Sequence, residues 1–175
     1  MYNSIHIIVI SIILLLLAGC LGIPEGITPV SGFHLDKYLG KWYEIARLDH
    51  SFERGLDRVT AEYSPRPDGG IRVINRGFST EENEWKKAEG KAYFVREPHE
   101  GYLKVSFFGP FYGSYVIFEL DTVSYQYAFV TSSKKTYLWF LSRTSSVSQE
   151  LINRFVTRSK ELGFNTENLI FVKHE

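Results

Sequence analysis

"YLGKWYEIARLDHSFERGL", Tyr38 to Leu56, is the stretch on which the fold turns. It sets Gly40-x-Trp42-Tyr43 at the head of a short alternating run, Trp42 to Leu48, and then gives way to a polar loop. Nothing in it looks like a catalyst. Asp49, His50 and Ser51 are consecutive, yet a nucleophilic triad needs side chains that converge in space, which neighbours in sequence rarely do. His34, His50, His99 and His174 are scattered without metal-ligand spacing. The stretch therefore reads as the first strand of a scaffold, and the chain on either side has to say which one.

Downstream, the period-2 pattern of half-buried strands recurs. In Arg58 to Ser64, Val59, Ala61 and Tyr63 share one face and Thr60 and Glu62 the other. "RPDGG", Arg66 to Gly70, is a tight turn in which Pro fixes one backbone angle and the glycines are free to take positive φ. Strands follow at Ile71 to Phe78, Trp85 to Val95, Tyr102 to Phe108, Tyr115 to Leu120, Tyr127 to Thr131 and Tyr137 to Ser142. Sequential antiparallel strands with one apolar face remove their edges most simply by closing on themselves. The expectation is an all-β domain: an eight-stranded antiparallel up-and-down barrel with a C-terminal helix packed outside. That helix is marked by Ser148 as cap, Leu151, Ile152, Phe155, Val156 and Leu162 at helical spacing, and Gly163 as stop. A short strand, Leu169 to Val172, comes last.

Upstream, "MYNSIHIIVISIILLLLAGC" carries an apolar run, Ile7 to Ala18, of signal-peptide length and too short to span a bilayer comfortably. Leu17-Ala18-Gly19-Cys20 resembles the bacterial lipobox, and Cys20 is the only cysteine. The expectation is a lipoprotein signal peptide over 1–19, a lipid-anchored tether over 20–32 with Cys20 acylated, and the globular domain over 33–175. Leu21 is not the aspartate that retains lipoproteins at the inner membrane, so the outer membrane follows. No cysteine remains for a disulfide, so the domain must be stable on packing and hydrogen bonds. The 20 Lys and Arg balance the 20 Asp and Glu, a formal net charge of zero, which gives no global field toward nucleic acid.

The chain resembles the lipocalin family, and specifically its bacterial lipoprotein members. The residues that carry the resemblance are Gly40-x-Trp42-Tyr43, the "ELDTVSYQYAFV" segment with Asp121 and Tyr125, and Arg143 in "LWFLSRT". It implies that these three regions meet at the closed end of the barrel, with Arg143 across Trp42. Gly40, Trp42, Asp121 and Arg143 are then structural. The open end falls at the loops 49–57, 79–84, 109–113 and 132–136.

Inward alternation nominates Val59, Ala61, Val73, Leu103, Val105 and Phe107 as an apolar lumen suited to an acyl chain. Tyr112 and Glu89 are the polar candidates for a headgroup, and Phe52, Phe108 and Phe111 a rim that closes the entrance. The function expected is a membrane-anchored carrier of a fatty acid or lysophospholipid, its domain facing the periplasm, with no enzyme activity, no metal and no cofactor. A tethered envelope interaction protein with a filled barrel is the alternative reading. The sequence leaves a homodimer open.

Overall fold

The computed structural model describes residues 21–175; the expected signal peptide and Cys20 lie outside them. A one-turn helix, α1 (Leu35–Tyr38), leads into nine strands: β1 (Gly40–Leu48), β2 (Leu56–Pro65), β3 (Ile71–Ser79), β4 (Glu84–Phe94), β5 (Tyr102–Ser106), β6 (Gly113–Leu120), β7 (Tyr127–Thr131), β8 (Leu138–Ser142) and, after helix α2 (Gln149–Glu161), β9 (Leu169–Phe171). Each of β2 to β7 pairs antiparallel with the next, and β1 pairs with both β8 and β2, which closes the barrel. The ninth strand stays in the wall. Where β1 leaves β2, β9 pairs with Ala46–Leu48 of β1, and the Arg58 N–H donates to the Lys173 carbonyl.

Two apolar layers follow from the pleat. Trp42, Ala61, Tyr63, Ile71, Val73, Ala92, Leu103, Ile117 and Leu141 face inward, while Ile45, Ala46, Val116, Phe129, Leu138 and Phe140 face outward under α2. Helix α2 starts because the Ser148 hydroxyl accepts from the Leu151 N–H, and it ends at Gly163, whose φ is positive. Its Phe155 ring sits 4.9 Å from that of Phe129 and 5.0 Å from that of Phe140, so the helix covers the outer layer.

The described part of the segment read as a tether is laid along the barrel wall. Gly22 N–H donates to the Ser114 hydroxyl, Val30 bonds through its backbone to Ile117 and Gly101, and Ile27 is buried in the outer layer. Its proline and glycine content breaks helix and strand periodicity, but Ile23, Ile27 and Val30 still supply an apolar face. A Cβ on Gly101 would stand 2.7 Å from Val30, so this docking depends on a glycine in the barrel.

Candidate functional site

The barrel encloses a cavity of about 640 Å³, well within the range of small-molecule sites. Val59 and Ala61 from β2, Val73 from β3, Leu103 and Val105 from β5 and Phe107 beyond it all line this space. They converge because the registers Tyr63↔Val73, Ile71↔Ala92 and Ala92↔Val105 carry one face of the pleat around the wall. Sequence alternation therefore brings six nominated residues into one lumen.

The two polar nominees are placed elsewhere. Val73 pairs with Gly90 and Ile74 with Glu89, so Glu89 points outward, where its carboxylate accepts from Arg72 Nε and Nη2 at 2.7 and 2.8 Å. The inner face of β4 carries only small residues, Ala88, Gly90 and Ala92, so its apolar phase is weakly marked. Tyr112 borders the mouth, but its ring lies against Tyr93 and under Lys104 Nζ on the outer wall. It shares the outward parity of Ser114 two residues on.

At the closed end Trp42 is fully buried, its indole N–H donates to the Tyr38 carbonyl at 2.8 Å, and the Arg143 guanidinium stacks 3.9 Å above its ring. Arg143 also donates to the carbonyls of Lys37, Leu39, Lys41 and Tyr125, tying α1, β1 and the β6–β7 turn together. Gly40 is in the left-handed region, φ 93°, with Arg143 close over it. Asp121 accepts from the backbone N–H groups of Val123, Ser124 and Gln126; burial pushes its carboxyl up, and these three bonds outweigh it and hold it below its usual range. Just above the plug, the Tyr115 hydroxyl meets those of Tyr38 and Tyr63 at 2.7 and 2.8 Å. Burial drives all three phenols up, so they are neutral hydrogen-bonding groups.

A polar wall that alternation does not predict stands nearer the mouth. Arg47, 1% exposed, donates to the Glu44 carboxylate at 2.8 Å and to the carbonyls of Glu53 and Leu56. Glu53 accepts from the Trp139 indole N–H at 3.0 Å, and His50 Nε2 lies 3.0 Å from the same carboxylate oxygen. Glu44, His50, Glu53, Tyr137 and Trp139 all border the cavity. Burial, then repulsion from Glu53, pushes the Glu44 carboxyl well up despite Arg47. Burial pushes Glu53 up too, but His50, Trp139 and Arg47 outweigh it and leave it lowered. The cause of the surprise is a bulge between Glu44 and Ala46, which turns Ile45 and Ala46 outward in succession and restores Arg47 to the lumen opposite Trp139. The signal available in sequence was the inward phase of Glu44 with Trp42.

The mouth is bordered by three of the expected loops, through His50, Phe52 and Glu53, through Phe108, Phe111 and Tyr112, and through Ser132, Ser133, Lys134 and Thr136. Phe52, Phe108 and Phe111 are 67%, 72% and 72% exposed and border the entrance. Among the described residues no cluster of His, Cys, Asp and Glu is placed to hold a metal ion.

A Lipocalin-like domain family matches residues 33–174 of this chain. The chain belongs to the lipocalin family. Among its lipocalin relatives, the outer membrane lipoprotein Blc of Vibrio cholerae is 63% identical over 160 residues, covering 91% of this chain and 94% of that protein. Blc of Escherichia coli K12 is 48% identical over 150 residues, 86% of this chain and 84% of its own. Insecticyanin from the tobacco hornworm superposes with a TM-score of 0.69 at 19% identity, covering 89% of this chain and 88% of that one, and shares the barrel. This lipocalin is accordingly an outer-membrane lipoprotein of a ligand-binding family, and not an enzyme.

Proposed function

We propose that this lipocalin holds one lipid with a single long acyl chain, a fatty acid or a lysophospholipid, and carries or stores it at the outer membrane, to which acylated Cys20 tethers a domain on the periplasmic side. The observation that carries the reading is the cavity: about 640 Å³, with an apolar stretch from Val59 and Ala61 round to Phe107, and polar groups at its base (Tyr38, Tyr63, Tyr115), at Asn75, along the Glu44–Glu53 wall and at the mouth. A filled barrel, the alternative, would lack that space. Sixteen carbons at roughly 0.8 kcal/mol per methylene give on the order of 12 kcal/mol before association costs, enough for micromolar or tighter binding. The head then lies among His50, Glu53, Lys86 and Lys134. These offer charge of both signs, which suits a zwitterionic head better than a bare carboxylate.

Titration of the purified protein with a fluorescent fatty acid, with lysolipids as competitors, tests the reading. Val105→Trp puts an indole into the lumen; if it displaces about four methylenes of the chain, affinity should fall about a hundredfold. The proposal is wrong if no single-chain lipid binds below about 100 micromolar, which corresponds to roughly 5.5 kcal/mol, and Val105→Trp changes nothing.

A further inference from the structure

At its first described residues the chain lies against the start of β6. Gly22 donates its N–H to the hydroxyl of Ser114, the second residue of β6, at 2.8 Å. Strand β6 begins at the mouth, directly after the loop that carries Phe108 and Phe111. From Gly22 the chain runs along the wall, and by Ser31 and Phe33 it has reached Glu100 and His99 in the β4–β5 connection, at the opposite end of the barrel. An anchor attached one residue before Leu21 can therefore stand no more than about 8 Å from Gly22, because each residue spans at most 3.8 Å. So short a link leaves little freedom between barrel and anchor while Gly22 keeps this bond. An acyl anchor on Cys20 would thus enter its bilayer beside the mouth.

The mouth is also the apolar end of the surface. Phe52, Phe108 and Phe111 project from two different loops and are mostly exposed, and Trp85, 57% exposed, opens β4 at the same end. Exposed aromatics gathered on one rim are out of keeping with a surface that faces only water. Lys134 stands on the third loop, exposed and without an ion pair among the described residues. Aromatic rings flanked by a lysine suit a lipid surface, with rings among the acyl chains and the ammonium at the phosphates. By contrast the β6–β7 turn at the far end presents Val123 alone among large apolar groups.

We propose that the mouth docks on the phospholipid leaflet that carries the anchor, with Phe52, Phe108 and Phe111 inserted among its acyl chains and Lys134 against its anionic heads. A lipid then passes between leaflet and lumen without crossing water. This rests on the reading of Cys20 as the acylated residue, and it concerns the orientation of the barrel rather than what the barrel holds.

Because acylation occupies the only native cysteine, a second cysteine can be labelled alone. The acylated full protein carrying Phe111→Cys, Ser51→Cys or Val123→Cys, each with an environment-sensitive fluorophore, is reconstituted into vesicles of phosphatidylethanolamine and phosphatidylglycerol containing a doxyl-labelled quencher lipid. The labels at 111 and 51 should shift to the blue and be quenched, and the label at 123 should stay in water. Phe108→Ser with Phe111→Ser, both exposed positions, should abolish quenching of the label at 51. Equal exposure of all three labels to water overturns the proposal. So does a blue shift at 111 that tracks protein concentration and is indifferent to the quencher, which would mean that a second copy covers the rim. None of these signals needs a bound ligand, so a failed lipid titration and a failed docking are told apart.

Discussion

Arg47→Met probes the polar wall of the lumen. The guanidinium is sealed from solvent and makes three bonds, one to the Glu44 carboxylate and two to the carbonyls of Glu53 and Leu56, so it ties the mouth loop to β1. Hydrogen bonds involving a charged group contribute about 1.5–3 kcal/mol each, and breaking a buried pair by removing one partner costs about 3–5 kcal/mol. Burial favours the protonated form of Glu44, which lessens the cost of leaving its carboxyl without Arg47. That places the expected loss at the low end, about 3 kcal/mol. A domain with stability of about 5–15 kcal/mol survives this, and a urea slope of about 1–3 kcal/mol/M converts it to a midpoint lower by roughly 1 to 3 M. The assay is urea unfolding followed by tryptophan fluorescence, to which Trp139 contributes from inside the network. Glu44→Leu added to Arg47→Met should cost less than the sum of the two single changes, because the pair is removed together. Additive losses, or a shift for Arg47→Met equivalent to less than about 0.5 kcal/mol, the range of an ordinary surface change, would refute the strut.

Glu44→Gln bears on pH. Its folded pKa is raised above its unfolded value, so the native state holds the proton longer, and this group's contribution is complete below about pH 4.3 and declines as pH rises toward the folded pKa. Thermal melts of Glu44→Gln should fall less across that window than those of the native protein; parallel curves would show that Glu44 is ionised. At the closed end, Trp42→Ala removes a fully buried indole and should cost about 3–5 kcal/mol, with lipid affinity reduced only through lost folding. A stable Trp42→Ala protein with selectively lost binding would move Trp42 into the site. Cys20→Ala should abolish labelling by radioactive palmitate in the intact chain, and persistent labelling would contradict acylation at that residue.

The barrel was legible because it rests on repeating local signals: alternation in β2, β3 and β5, a turn at Arg66–Gly70, and one amphipathic helix with its cap at Ser148 and its stop at Gly163. Register around the wall follows from them, and so does the apolar lumen. What stayed hidden depends on single residues that break period. The inner face of β4 is marked only by the small residues Ala88, Gly90 and Ala92 between Lys87, Glu89 and Lys91, a weak apolar signal for a Glu89 that faces out. Tyr112 lies in a loop, where parity has no meaning until the neighbouring strand is in place. The docked segment from Gly22 to Val30 lacks any periodicity because it follows the barrel's surface rather than a ladder of its own, and its fit depends on Gly101 in another part of the chain.

The bulge between Glu44 and Ala46 shows how much one such break can do. With unbroken alternation β1 would send Ala46 and Leu48 into the lumen and Arg47 outward, and Glu44 would face the lumen without its cation. Instead both Ile45 and Ala46 lie under α2, and Arg47 turns inward beside Trp139. The mouth loop then has an internal donor for the Glu53 and Leu56 carbonyls, which fixes its backbone while its one large apolar side chain, Phe52, is left outside. A loop held by its main chain can present an aromatic group to a lipid surface without depending on that group for its own fold. The same device places Glu53 and His50 at the point where an acyl chain would end and a headgroup begin. Loss of Arg47 should therefore loosen the mouth before it opens the barrel: hydrogen exchange at Glu53 to Leu56 should accelerate in Arg47→Met at denaturant concentrations where the β2–β3 ladder is still protected. Uniform acceleration across loop and ladder would mean that the buried pair supports the barrel as a whole and gives the mouth no separate rigidity.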